Sequence, residues 1–134
     1  MKEKFNETTP QRKQDHLLDA PLVSIDLPAF IEQLKQEPSW KESDRNSIAV
    51  LKTNGMRIVL VALHKGADMA KHTADGIISL QVLDGQIRFT TDIKSVELSK
   101  GHMLALHERI PHSVLAIEES VFLLTLTTTL AGKA

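Results

Sequence analysis

Apolar residues alternate with polar ones along most of the chain, and only one short stretch near the beginning keeps a helical period. From residue 47 onward, runs rich in Val, Ile and Leu recur with turn residues between them. They cover Ser47 to Lys52, Met56 to His64, Ile77 to Leu83, Gln86 to Thr91, Ser95 to Leu98, His102 to His107, Ser113 to Glu118 and Val121 to Thr128. Such runs predict strands, because successive side chains point to opposite faces and branched residues pack well on a pleated, half-buried surface. Asn54-Gly55 predicts a hairpin turn with positive φ at both positions, and Asp84-Gly85 a second tight hairpin. Lys100-Gly101, Ile110-Pro111 and Glu118-Glu119 mark further turns, so a β-meander is expected. In the run from Ile77, the residues Ile78, Leu80 and Val82 share a face, and the mixed polarity of Ser79 and Gln81 assigns the other face to the outside.

The helical stretch spans residues 26–37. Phe30, Ile31 and Leu34 fall on one side, Asp26 is placed to cap the N-terminus, Pro28 suits the first turn, and Pro38 marks the end. Before it, Pro21 to Ile25 predicts a short strand; after it, Ser39 to Asn46 reads as a connector. Residues 1–20 are polar without a period and read as an arm. The whole, 1–134, is expected to be one domain with its barrel or sandwich over residues 47–128, since 134 residues suit a single core.

Composition narrows the chemistry. The formal net charge of −1, from 16 basic and 17 acidic residues, offers no field to gather nucleic acid, and 4% aromatic content offers no base-stacking surface. With no cysteine, metal ligands are restricted to His, Asp and Glu. No apolar stretch is long enough to span a membrane and no secretory leader opens the chain, so a cytoplasmic protein without membrane partners is expected. A phosphate-cradling glycine loop, paired catalytic carboxylates and a serine triad are all missing from the pattern.

Two segments carry a family signature. Gly66-x5-His72, continuing to Gly85, resembles the first cupin motif, G-x5-H-x-H-x3–4-E-x6-G. Gly101-x5-His107-x-Arg109-x2-His112 resembles the second, G-x5-P-x-G-x2-H-x3-N. The resemblance, from Arg57 to Leu126, implies a compact jelly-roll barrel of mainly β structure with one short N-terminal helix. It also implies a divalent transition metal (Zn, Fe, Mn or Ni) in the barrel mouth, a small-molecule ligand and a homodimer. His72 and His112 match the first and last metal ligands, whereas Ala74 and Ile78 stand at the other two ligand positions. His107, Arg109 and Ala116 replace the second motif's proline, glycine and asparagine.

His72, Ile78, His107 and His112 are therefore the expected pocket. His72 and His112 are the metal candidates, His107 is a third imidazole, and His64 is a weaker candidate at the end of its strand. Asp75, Glu108 and Arg109 lie beside motif residues, where they would orient a ligand or sit in solvent. Met56, Met69 and Met103 are candidates to line a pocket, but as isolated residues on apolar strands they read as core filler. Two functions stay open at this point. One is a small-molecule-binding cupin with a metal on a reduced histidine site; the other is a metal-free binding or regulatory module whose pocket Ala74 and Ile78 complete.

Overall fold

A computed structural model describes residues 18–128. Most of the expected arm, His16 included, lies outside the described residues. Helix α1, Leu27–Gln36, starts as the sequence predicts: Asp26 Oδ1 accepts from the Ala29 N–H at 3.1 Å, and Pro28 sits in the first turn. A second short helix, α2 (Pro38–Glu42), occupies part of the expected connector and buries Trp40. The strand expected over Pro21 to Ile25 does not form. This stretch has no strand hydrogen bonds among the described residues, and Leu22 is 86% exposed while Ile25 packs towards the helices.

Nine strands follow: β1 (Arg45–Lys52), β2 (Met56–Leu63), β3 (Asp68–His72), β4 (Ile78–Asp84), β5 (Gln86–Thr91), β6 (Ser95–Ser99), β7 (Met103–Leu106), β8 (His112–Ala116) and β9 (Ser120–Thr127). One sheet has the order β1-β2-β9-β4-β7, the other β3-β8-β5-β6, and the pairings are antiparallel. Apolar side chains from the facing sheet surfaces meet between them, among them Val59, Val61, Leu80, Ile87, Phe89 and Phe122. A second cluster fills the space between the outer surface of the first sheet and the helices, where Leu34 and Trp40 cover Ile48, Val50, Leu60 and Val121. Strand β1 is buried continuously from Asn46 to Val50, with Ile48 and Val50 packed in the helix-side cluster.

The expected meander is replaced by strands that cross between sheets. Only β1–β2 and β5–β6 are hairpins of consecutive strands. Asp84-Gly85 does not make a hairpin, since β4 and β5 belong to different sheets. Gly85, at φ +88°, swings the chain across where a Cβ would run into the Glu119 carbonyl and Ser120. The Asn54-Gly55 hairpin does form, but neither residue has positive φ. Instead the Thr53 hydroxyl accepts from the N–H groups of Gly55 and Met56, a side-chain turn that needs no left-handed residue. Strand β3 escaped the sequence pattern because its residues are polar apart from Met69 and Ala70, and only Met69 is buried.

Candidate functional site

Strands β3 and β8 run antiparallel, and their register sets His72 directly opposite His112. The two rings meet edge to face with centroids 4.4 Å apart. Each is fixed in the same way: His72 Nδ1 donates to the Ala70 carbonyl at 2.7 Å, and His112 Nδ1 donates to the Ile110 carbonyl at 2.8 Å. A carbonyl can only accept, so the proton of each neutral ring sits on Nδ1 and the lone pair on Nε2. Phe89 stacks on His112 at 5.3 Å, and Met69, Ile78 and Phe122 complete an apolar wall. His112 is buried, and that burial lowers its pKa below the ordinary imidazole value, outweighing the Ile110 carbonyl that would raise it; the neighbouring His72 charge lowers it further.

The internal cavity these residues line is small, about 10 Å³, which is room for one water or ion and not for an organic molecule. Ile78, 2% exposed, points into it as the strand alternation predicts, and Ala74 packs against the same core. A larger cleft of about 320 Å³ opens outside the barrel, lined by Arg45 of β1 and by Asp68, Met69, Ala70 and His72 of β3. Arg45 is held there by the Asp44 carboxylate, at 2.8 and 3.2 Å, and by the Asp68 carbonyl at 3.0 Å. Met69 and His72 line both spaces and form the partition between them.

The other histidines stand apart. His107, expected as a third imidazole, lies on the turn after β7 with its side chain 84% exposed and its Nδ1 3.7 Å from Glu108. Its strand ends at Leu106, so nothing turns it inward. His64 stacks on Trp40 at 3.5 Å and its Nε2 meets the Trp40 carbonyl, on the helix side of the first sheet. Among the described residues no group of three or more His, Asp or Glu side chains converges as a metal site. Of the methionines among the described residues, only Met69 is core; Met56 is 36% and Met103 59% exposed.

No family model and no curated protein matches the sequence. Solved structures do. A cupin-2 domain containing protein from Shewanella frigidimarina superposes with a TM-score of 0.62 at 15% identity, over 77% of this chain and 93% of that one. A conserved protein of unknown function from Streptococcus pyogenes gives 0.61 at 24% identity, over 65% and 77%. The chain has the cupin fold. Salicylate 1,2-dioxygenase from Pseudoaminobacter salicylatoxidans, in its adducts with gentisate, superposes at 0.71 with 14% identity, over 88% of this chain but only 37% of that longer one.

Within that cupin fold the donor set does not fit the divalent metal the motifs imply. Structural and catalytic divalent centres take three or four protein ligands. Here two imidazoles share a small apolar space with Ile78, and Ala74 packs against the same core without a donor to offer. The second motif also leaves a mark on the backbone. Arg109, at the family's glycine position, has φ 62° while its N–H donates to the Ala74 carbonyl at 2.8 Å. The turn thus keeps the left-handed geometry that glycine adopts freely. Sequence reasoning named Met69, which is core and also lines the cavity, but missed Phe89 and the Arg45–Asp68 cleft wall. Phe89 was legible from its alternation with Ile87; the cleft wall was not, because it joins the edges of two sheets.

Proposed function

We propose that this protein is a small-molecule-binding cupin that acts as a binding or regulatory module, without the divalent centre and without a catalytic step. The observation that carries this reading is the division of space. The barrel interior, lined by Ile78, Phe89 and Phe122 among others, leaves only about 10 Å³, whereas the outer cleft of about 320 Å³ has the size of a small ligand site and a mixed polar lining. Arg45, Asp68 and His72 supply the orienting polar groups there, and Met69 the apolar floor. The assembly in this reading is a homodimer. Support comes from the outer surface of the first sheet near β4 and β7, where Ser79, Gln81, Met103 and Ala105 place no like charges against a second copy.

The test is a backbone NMR titration with a set of small carboxylic acids, polyols and heterocycles, run with and without a metal chelator. Shifts gathered at Arg45, Asp68 and Ala70 and indifferent to the chelator are the expected result. Shifts that vanish with the chelator, or no binder at all across the set, would overturn the reading. Light scattering at micromolar concentration tests the dimer; a monomer refutes it.

A further inference from the structure

Three Asx-Gly pairs stand in the sequence, Asn54-Gly55, Asp75-Gly76 and Asp84-Gly85. At such a pair the chain is open to attack by its own backbone, because a residue without a Cβ lets its amide nitrogen approach the preceding side-chain carbonyl carbon. The fold treats the three differently. Gly76 lies against the Thr127 backbone, and Gly85 against the Glu119 carbonyl and Ser120, so the chain has no room to swing there. Gly55 has nothing within 4 Å of the place a Cβ would take. Asn54 is exposed at the tip of the β1–β2 hairpin, and its carboxamide makes no hydrogen bond among the described residues. Asn46 is the opposite case: it is buried, it donates to the Leu34 carbonyl and the Glu37 carboxylate, and its Oδ1 accepts from the Ser47 N–H, the nitrogen that would have to attack.

We infer that Asn54 is a modification site, converted to aspartate and isoaspartate by its own backbone at a rate that the Thr53 hydroxyl restrains. In the first step the Gly55 nitrogen gives its proton to solvent hydroxide and bonds to Asn54 Cγ. The Cγ–Nδ2 bond breaks, and Nδ2 leaves as ammonia after taking a proton from water. Water then opens the cyclic imide. Cleavage of the new bond from Gly55 nitrogen to Cγ gives aspartate, whereas cleavage of the original peptide bond gives isoaspartate. Nothing is oxidised or reduced, and water is the only co-reactant. The restraint is local: the Gly55 N–H donates to Thr53 Oγ1 at 3.1 Å, and the Met56 N–H donates to the same oxygen at 3.0 Å. Attack requires that hydrogen bond to break before the proton is lost, so the hydroxyl keeps the nucleophile idle.

The two products act differently on the first sheet. Thr128, just past the end of β9, ties that end to the turn: its N–H donates to the Gly55 carbonyl at 3.1 Å and its hydroxyl to the Asn54 carbonyl. Isoaspartate sends the main chain through Cγ, adds a methylene between residues 54 and 55, and turns the Asn54 carbonyl into a free carboxylate. The turn then loses the spacing that Thr53 shapes, and Thr128 loses the carbonyl pair that holds it. Aspartate keeps the backbone and adds only a negative charge, between the paired and basic Lys52 and Arg57 that flank the turn. One product therefore spares the hairpin, and the other unties the end of β9 from it. The inference holds whether or not the cleft takes a ligand, and its test involves none.

The experiment incubates the whole chain at mildly alkaline pH and follows each asparagine by peptide mass spectrometry, with an isoaspartate-specific carboxyl methyltransferase as the probe for isoaspartate. Conversion at Asn54 that rises with pH, with Asn46 intact, is expected. Thr53→Ala should hasten it roughly two- to tenfold, the range that one net hydrogen bond allows, and Thr53→Ser should stay near the wild-type rate. Gly55→Ala, which the open space and the absence of positive φ at that residue accommodate, should nearly stop it. An intact Asn46 in the Thr53→Ala sample separates a released restraint from an unfolded chain. Should that variant unfold, hydrogen exchange of the wild-type Gly55 amide decides: slowed exchange supports the restraint, and exchange at the rate of a free peptide overturns it. The Thr128 amide resonance should move in the isoaspartate fraction and stay in place in Asn54→Asp. Asn54 intact in both wild type and Thr53→Ala, equal rates in those two proteins, Asn46 converting as fast as Asn54, or an unmoved Thr128 amide in the isoaspartate fraction would each overturn the assignment.

Discussion

Restoring the two missing ligands tests how the site is built. In Ile78→Glu, a side chain that is 2% exposed becomes a carboxyl facing Phe89, Phe122 and two imidazoles. The lost transfer energy of the isoleucine is about 1.5–3 kcal/mol. A buried polar group without adequate partners adds about 1–3 kcal/mol. Set against a total stability of roughly 5–15 kcal/mol, the variant remains folded but lowers the melting temperature by roughly 10–25 °C. Burial raises the new carboxyl's pKa, so the folded state holds a proton that the unfolded state has released. The loss therefore deepens as pH rises above about 4.3, the ordinary glutamate value. Adding Ala74→His completes a set of three imidazoles and one carboxylate. Ni(II) or Zn(II) at about a hundred times its dissociation constant should then return about 2.7 kcal/mol, read as a rise in melting temperature by differential scanning calorimetry. The wild-type chain should show no such rise with divalent ions. If the double variant ignores Ni(II) and Zn(II), then positions 74 and 78 do not face His72 and His112. If the wild type gains as much as the variant, two imidazoles suffice and the reading of Ile78 as a lost ligand fails.

Other outcomes follow from single contacts. His112 has a depressed pKa, so below about pH 6.5 the unfolded chain binds a proton that the folded histidine refuses; stability is full above that pH and declines as pH falls, and His112→Phe should flatten the slope of urea midpoints. Asn46 is buried and donates to the Leu34 carbonyl and Glu37 carboxylate while accepting from the Ser47 N–H, so Asn46→Ala should cost more than about 2 kcal/mol in urea unfolding, and a change within error would refute that role. Arg109→Gly should stabilise by about 0.5–1 kcal/mol, because glycine relieves the left-handed backbone at φ 62° and loses only part of that gain to chain entropy. Gly85→Ala should do the opposite and exceed the about 1–2 kcal/mol of left-handed backbone alone, since its Cβ meets the Glu119 carbonyl and Ser120. Thermal melts of the two glycine-related variants, run side by side, check both signs.

Local chemistry was enough to place what depends on neighbours in the chain. The capped helix with Asp26 and Pro28, the strand runs, the inward face of Ile78, Leu80 and Val82, and the motif positions of His72 and His112 were all legible in the sequence, because period, capping and turn residues act over a few positions. The partners of each strand were not. Asp84-Gly85 carries the same turn signal whether the chain doubles back or crosses to another sheet, and the choice falls to the packing of β4 beside β7 and β9. Polar β3 became a strand only because β8 supplies its hydrogen-bonding partner. His107 shows the same limit at the site: it stands five residues before His112 at the end of the second-motif strand, yet β7 ends one residue earlier and leaves it on an exposed turn. The sequence determined that two histidines and two apolar residues stand at the family's ligand positions. Only the tertiary structure decided that the histidines oppose each other in a space too small for an organic ligand, because cavity size is set by side chains from strands far apart in the chain.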